Sequence, residues 1–189
     1  MDQLDTLIKL IESKNNISLP KEKVQLIFQY LTFCKRDKNE ILSRVGDIDN
    51  HFYIIMDGII RFYYIDMNGN EITRFFAESG CILSGSPEII PYTVETLVPT
   101  EFFVGDWDVI KSIIDNDIYW LKLWNYFLQE GIQYKIYREN CFLMKSATER
   151  YLDFKKRYPY LEKNVNQSYI ASYLGITPVS LSRIRRTIK

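Results

Sequence analysis

The chain has 189 residues, of which 47% are hydrophobic and 15% aromatic, so a disordered protein is excluded and a core can form. Its 24 basic and 24 acidic residues give a net charge of zero but are unevenly distributed along the chain. Residues 145–189 carry a net charge of +7 and residues 1–144 a net charge of −7. No apolar run approaches the roughly 20 residues of a membrane span, and no basic signal-peptide segment opens the sequence. We therefore expect a cytoplasmic protein with no membrane partner.

Two amphipathic helices are predicted at the start of the chain, over residues 2–14 and 21–34. Apolar residues recur in both at the spacing of one helix face. The Asn15-Asn16 pair should end the first helix, and Pro20 suits the first turn of the second.

Short β-rich segments follow. The Asp57-Gly58 and Asn68-Gly69 dipeptides favour type I′ turns, so we expect hairpins at both places. Short, evenly spaced strands are typical of an antiparallel barrel or jelly roll. The strands are expected at residues 41–45, 52–56, 59–65, 71–76 and 102–104.

Residues 106–142 are predicted to form a short helix followed by a long one with a heavy aromatic load. These aromatic side chains can simply belong to the hydrophobic core. A long apolar helix that follows a barrel more often pairs with the same helix of a second copy, so we expect a homodimer. Gly131 should permit close helix approach or a local bend. A further helix is predicted over 146–158, stopped by Pro159.

Residues 166–189 are typical of a helix-turn-helix. Ala171 is small where a crossing helix must come close, and Gly175 stands where a sharp turn favours φ > 0. Thr177 can cap the second helix, and Pro178 fits its first turn. The second helix is cationic and can enter a DNA major groove. The alternative is a helical hairpin with a solvated basic face.

These features together resemble the Crp/Fnr family of transcription regulators over nearly the whole chain. The resemblance rests on residues 56–61, the 68–71 hairpin, Gly80 and the helix-turn-helix, whose sequence from Ile170 is similar to short Crp-like regulators of Bacteroidetes-type bacteria. It implies a homodimer on pseudo-palindromic double-stranded DNA, with recognition helices about 34–36 Å apart. RNA polymerase is a further expected partner.

The resemblance also implies an α+β fold in three parts. Residues 1–115 should form a cyclic-nucleotide-binding-like sensor barrel, an antiparallel jelly roll with flanking N-terminal helices. Residues 116–144 should form the long dimerisation helix, and residues 145–189 the helix-turn-helix domain.

Arg183 is the first candidate for base readout, because its matching position in the family reaches a guanine. Secondary contacts to phosphates, bases or thymine methyls are expected from Pro178, Val179, Ser180 and Ser182. Further cations can contact the DNA backbone or be merely solvated; these are Arg185, Arg186 and Lys189. Gln167 and Ser168 can donate to a phosphate at a helix N-terminus or form an ordinary helix cap.

The sensor part departs from the cyclic-AMP-binding pattern, in which an arginine holds the cyclic phosphate and a glutamate the ribose. No Arg or Lys occurs over residues 77–107. Gly85 falls about where the glutamate should be, and Pro91 or Tyr92 where the arginine should be. Burying a phosphate without a cation is costly, so cyclic AMP is not expected as the effector, whose identity stays open. We also expect no β-wing after the recognition helix, unlike in many relatives.

No cofactor, metal or enzymatic activity is expected. His51 is the only histidine and is predicted to be a surface or capping residue. Three scattered cysteines cannot hold an iron–sulfur cluster; Cys81 can sense oxidation or be buried and inert, and a role for Cys141 stays open. The apolar barrel interior is either filled by side chains or takes an uncharged ligand. The competing interpretation is a barrel-based small-molecule sensor or enzyme whose helical tail serves protein contacts.

Overall fold

The computed structural model describes residues 2–86 and 89–188. The chain divides into two compact units, Met1–Tyr64 with Phe75–Trp120 and Ile65–Arg74 with Leu121–Lys189. Among the described residues, no helix combines the length and the hydrophobicity that a membrane crossing requires.

Helices of the first unit begin and end close to the predicted signals. As predicted, the first helix stops at the asparagine pair, where Asn16 adopts the left-handed conformation with φ of 53°. Pro20 directly precedes the second helix. The side chain of Asp106 caps the third by accepting the N–H of Val109 at 3.1 Å. These helices are α1 (Gln3–Asn15), α2 (Lys21–Phe28) and α3 (Trp107–Asp115).

The described residues form eight strands in two antiparallel four-stranded sheets, the arrangement predicted as a barrel or jelly roll. The strands are β1 (Thr32–Arg36), β2 (Ile41–Ser43), β3 (Asp49–Asp57), β4 (Ile59–Ile65), β5 (Glu71–Glu78), β6 (Ile82–Ser86), β7 (Thr93–Thr96) and β8 (Thr100–Asp106). One sheet has the order β1-β8-β3-β6 and the other β2-β7-β4-β5. Apolar side chains of both sheets meet in one core, at Ile55, Ile60, Phe62, Ala77, Val94 and Phe102.

The predicted second helix is too long. Helix α2 ends at Phe28, and residues 32–36 form β1 instead. Strand β1 pairs with β8, so that Phe33 lies opposite Phe103 and Cys34 opposite Phe102. Pairing with a buried strand outweighs the weak helical periodicity of these residues.

The Asp57-Gly58 hairpin prediction is wrong, because β3 and β4 lie in different sheets. Gly58 carries the chain from one sheet to the other with φ of 107°. A Cβ at this position would stand 2.7 Å from the Cα of Thr100. Glycine is needed here for a close backbone approach rather than for a hairpin turn.

The Asn68-Gly69 connection does join neighbouring strands, β4 and β5, but its turn is not type I′. Only Gly69 of the pair has positive φ, at 81°, whereas type I′ needs positive φ at both central residues. The N–H of Gly69 donates to the carbonyl of Asp66 at 3.0 Å. The Asp66 carboxylate accepts the N–H groups of Asn68 and Asn70, both at 2.8 Å, which stabilises the longer loop.

The second unit consists of helices beside the tip of the β4–β5 hairpin. As predicted, the short helix α3 of the first unit is followed by a long helix and then by a capped one, in which Ser146 and Glu149 form a reciprocal capping box. Pro159 stops that helix and also begins a short new one. The helices are α4 (Ile118–Met144), which begins in the first unit, α5 (Ala147–Arg157), α6 (Pro159–Asn164), α7 (Gln167–Leu174) and α8 (Pro178–Thr187).

Candidate DNA-binding face and effector cavity

Helices α7 and α8 are joined by the tight turn that the sequence predicts. Gly175 ends α7 in the left-handed conformation, with φ of 65°. The side chain of Thr177 caps α8 by accepting the N–H of Ser180 at 3.1 Å, and Pro178 occupies the first turn. These caps satisfy backbone donors that a helix start leaves free.

The two helices share a buried apolar seam. Ala171 is fully buried, as a close helix crossing requires. The buried side chains of the seam are Ile170, Ala171, Leu174 and Leu181, while Ile176 and Ile184 are half-buried at its border. Because this seam holds one side of α8, the opposite side is free to face a ligand.

The exposed side of α8 carries five of the ten residues predicted to contact DNA. Pro178, Val179, Ser182, Arg183 and Arg186 are all exposed. Positions 179, 182, 183 and 186 follow the spacing of a single helix face. The structure therefore brings these side chains together on one surface, which we name the basic face. Lys189 lies outside the described residues.

Ser180 lies apart from the basic face. Its hydroxyl is 2.9 Å from that of Thr177, so it belongs to the cap of α8. Its side chain is half-buried, unlike those of Val179 and Ser182 on either side.

Arg185 also differs from the neighbouring arginines. Its guanidinium is 3.1 Å from the carboxylate of Glu162, which is buried. The buried Tyr151 hydroxyl donates to the same carboxylate at 2.8 Å. Burial, followed by the hydrogen bond to Glu162 and its charge, raises the pKa of Tyr151 to about 12. This network ties α8 to α5 and α6 within the second unit.

The N-terminus of α7 is capped from within the chain. Both the backbone N–H and the hydroxyl of Ser168 donate to the side chain of Asn166, each at 2.9 Å. The Gln167 amide donates to the carbonyl of Glu162 at 3.4 Å. Asn166 is therefore the capping residue of α7; Ser168 donates to it, whereas the Gln167 side chain forms no cap contact with the described residues of α7.

A small cavity lies in the β-sheet core of the first unit. Its volume is about 20 Å³, whereas pockets for small organic ligands measure roughly 300–1,000 Å³. Side chains of both sheets line it: Leu42, Asp49, Tyr53, Ile60, Phe62, Leu83, Ile90, Tyr92 and Val94, with Ser84 and Gly85. Around this cavity, the described side chains leave no room for a small organic ligand.

Gly85, which the sequence resemblance places about where the family has a glutamate, has a steric role. A Cβ on Gly85 would overlap the carbonyl oxygen of Asp49 and stand 2.7 Å from the backbone nitrogen of His51. Since both neighbours are backbone atoms of β3, no side chain fits here without moving a strand.

The charged residue among those that line this cavity is an acid, Asp49. Asp49 is buried and accepts hydrogen bonds from the hydroxyls of Ser43 at 2.6 Å and Tyr53 at 3.1 Å. The mostly exposed His51 places its Nδ1 2.7 Å from the same carboxylate. Burial and the Asp49 charge raise the pKa of Tyr53, so its hydroxyl stays protonated. An anion entering here would meet a carboxylate rather than a cation.

Metal and thiol chemistry finds little support in the described part of the chain. No group of three or more His, Cys, Asp or Glu side chains is arranged to hold a metal ion there. Burial raises the pKa of the Cys81 thiol, which disfavours the reactive thiolate. Cys141 is buried beside the second-unit helices.

The comparisons with known proteins agree with this geometry. Residues 34–117 match the family model of the cyclic nucleotide-binding domain. The structure resembles FixK2 from Bradyrhizobium japonicum with a TM-score of 0.74, at 16% identity over 84% of each chain. A search of curated protein sequences found no match.

The names of two further similar structures state a function. One, from Eubacterium rectale ATCC 33656, is assigned to the Crp/Fnr family of transcriptional regulators; its TM-score is 0.69, at 15% identity over 89% of this chain and 83% of that one. The other is the Thermus thermophilus catabolite activator protein, with a TM-score of 0.54, at 14% identity over 90% of this chain and 84% of that one.

The fold is therefore that of a cyclic-nucleotide-binding domain followed by helices that end in a helix-turn-helix. More narrowly, it is the fold of the Crp/Fnr regulators, and the resemblance predicted from the sequence motifs is confirmed. Both matched proteins whose names state a function are named as an activator or a regulator.

Several contacts around the helix-turn-helix could not be found from sequence. Ser172 on α7 donates to the carbonyl of Glu71 at 2.9 Å and accepts the N–H of Thr73 at 2.8 Å, so its hydroxyl satisfies the free edge of β5. Arg138 and Arg150 donate to the carbonyls of Tyr173 and Leu174 at the C-terminal end of α7. No spacing rule connects such distant residues.

Proposed function

We propose that the protein is a sequence-specific, dimeric DNA-binding transcription regulator of the Crp/Fnr type that does not respond to cyclic AMP. The observation that carries the proposal is the basic face of α8, exposed on a helix whose opposite side is anchored in the buried seam of a helix-turn-helix. In such a motif the second helix enters the major groove.

Charge supports DNA as the ligand. The excess of positive charge lies in residues 145–189, which contain the basic face, and the rest of the chain carries the compensating negative charge. Neutralising phosphates releases counterions and supplies affinity, while an acidic remainder discourages wrapping in other orientations. Arg183 is our candidate for base contact, and Arg186 for phosphate contact.

Dimerisation is supported by an exposed apolar stripe on α4. Leu121, Leu128, Ile132 and Ile136 recur at helical spacing, and all four are exposed. Beside them, a Cβ at Gly131 would meet nothing within 4 Å. A single chain leaves this stripe in water, whereas the same stripe of a second copy would cover it. Two copies would present two recognition helices to a pseudo-palindromic site.

The first unit argues against cyclic AMP as the effector. The cavity of about 20 Å³ is far smaller than a nucleotide, Gly85 admits no glutamate side chain, and the lining carboxylate of Asp49 would repel a cyclic phosphate. A filled core makes the regulator constitutive unless another ligand opens it.

Selection of bound DNA from a random duplex library tests the function. We expect enrichment of a pseudo-palindrome whose half-sites are centred about one helical turn apart. The selected duplex also reports the stoichiometry, which should be two chains per full site. Recovery of unselected sequence, or of a single half-site without symmetry, would contradict a dimeric sequence-specific regulator.

Titration with cyclic AMP is expected to show no saturable binding by calorimetry. The reason is the small acidic cavity, which offers neither space nor a counter-charge for the phosphate. A regulator known to bind cyclic AMP serves as the positive control. A micromolar dissociation constant would overturn the argument from the cavity while leaving DNA binding untouched.

A further inference from the structure

Two arginines bind the C-terminal end of α7, the first helix of the helix-turn-helix. Arg138 on α4 donates from Nη2 to the carbonyl of Tyr173 at 2.7 Å. Arg150 on α5 donates from Nε to the carbonyl of Leu174 at 3.1 Å and from Nη1 to the carbonyl of Lys145 at 2.8 Å. The last carbonyls of a helix lack partners within the helix and carry the negative end of its dipole, so cations stabilise them.

Aromatic rings hold both guanidinium groups in place. The guanidinium carbon of Arg138 lies 3.6 Å from the ring centre of Tyr173 and 4.8 Å from that of Phe142, and the guanidinium carbon of Arg150 lies 5.2 Å from the latter. The hydroxyls of Tyr134 and Tyr173 are 2.8 Å apart. Residues 134, 138 and 142 are spaced by four and so form one stripe on α4 that faces α7.

Gly175, in the turn between α7 and α8, packs against Phe142 of the stripe formed by residues 134, 138 and 142. A Cβ at Gly175 would stand 2.7 Å from Cε1 of Phe142, so the turn between α7 and α8 rests directly on the last helical turns of α4. In the part of the chain that the structure describes, neither arginine forms an ion pair with a carboxylate. Both guanidinium groups instead bind backbone carbonyls of α7. These carbonyls are within reach only when α7 lies in this orientation.

We propose that Arg138 and Arg150 are positioning residues that fix the helix-turn-helix against the long helix, and thereby set the separation of the two recognition helices in the dimer. This rests on the proposed function. Because α4 also carries the dimerisation stripe, a rigid joint between α4 and α7 transmits the dimer geometry to both basic faces. Lysine keeps the charge but lacks the planar fork that reaches these carbonyls.

The test compares the wild-type protein with Arg138→Lys and Arg150→Lys on three duplexes. These are the selected full site, the same duplex with only one half-site, and full sites with one or two base pairs inserted between the half-sites. If the competent arrangement falls to a tenth of the population, full-site affinity falls about tenfold, whereas half-site affinity stays within about twofold. The variants should also tolerate the insertions better than the wild type does.

Two further variants provide a milder change at the same contact and a control. Tyr134→Phe removes only the hydroxyl contact and should give the same selective loss in a weaker form. Arg44→Lys makes the matched substitution at an exposed arginine of the first unit and should leave all three duplexes unaffected.

The outcomes separate the two proposals. A wild-type protein that binds no selected duplex would remove the proposed function itself. A wild-type protein that binds, with variants that lose half-site and full-site affinity equally, would show a role in folding alone and overturn the positioning proposal. Unchanged affinity and unchanged spacing preference in both variants would overturn it as well.

Discussion

Replacing Arg61 by methionine is expected to lower the free energy of unfolding by about 3–5 kcal/mol, because it leaves a buried carboxylate without its counter-charge. Arg61 is fully buried, and its Nη1 is 2.7 Å from Oε1 of Glu95, which is also buried. The two residues are direct cross-strand partners on β4 and β7. The guanidinium also lies 4.2 Å from the ring centre of Tyr63. Chemical denaturation measures the loss.

Two variants control this prediction. Arg61→Met combined with Glu95→Leu replaces the buried pair by apolar side chains, and should recover most of the lost stability. Lys35→Met breaks a cross-strand pair of the same kind, between β1 and β8, but an exposed one, 2.6 Å from Glu101; the expected loss is at most about 1 kcal/mol. Equal losses for the buried and exposed pairs would contradict the argument.

The elements that sequence predicted well are those determined by local chemistry. Asn16, Gly175, Thr177 and Pro178 each act through their own backbone conformation or a cap within one turn, and each lies where the pattern placed it. Helix periodicity likewise predicted which side of α8 is exposed, because burial on a helix follows directly from spacing.

The elements that sequence missed depend on distant partners. Strand β7 reads as polar, yet all four of its residues are buried, and its central Glu95 is tolerated only because Arg61 lies opposite. The Asp57-Gly58 pair has a hairpin signature, but its true constraint is the backbone of Thr100. Neither fact can be found within a window of neighbouring residues.

The candidate site divides in the same way. The spacing of residues along α8 predicted which of them form the exposed basic face. It did not predict that Ser180 and Arg185 form contacts within the chain. Arg183 and Arg185 look equivalent in the sequence, but only Arg185 pairs with the buried Glu162. Arg138 and Arg150 gave no signal, since a carbonyl acceptor leaves no trace in residue identity. A basic segment can thus contain an arginine with a structural contact, such as Arg185, close to exposed ones such as Arg183.

Replacing Arg183 by alanine is expected to relax the preference for one guanine in each half-site by about 1–3 kcal/mol, a factor of about five to 150. Arg183 is exposed on the basic face between Val179 and Arg186, where a guanidinium can bind the O6 and N7 atoms of guanine as a pair. Repeating the library selection with the variant measures the change at each base pair.

Arg186→Ala separates base contact from phosphate contact. Removing this guanidinium should weaken binding about equally on all sequences, and should lower the slope of log affinity against log salt by about one for each phosphate that is no longer neutralised. For the wild-type protein that slope should be steep, because phosphate neutralisation supplies much of the affinity. Affinity that is independent of salt would contradict the phosphate contacts.

An unaltered base preference in the Arg183→Ala variant would show that this residue does not read a base. Base readout would then have to come from Arg186, Val179 or Ser182.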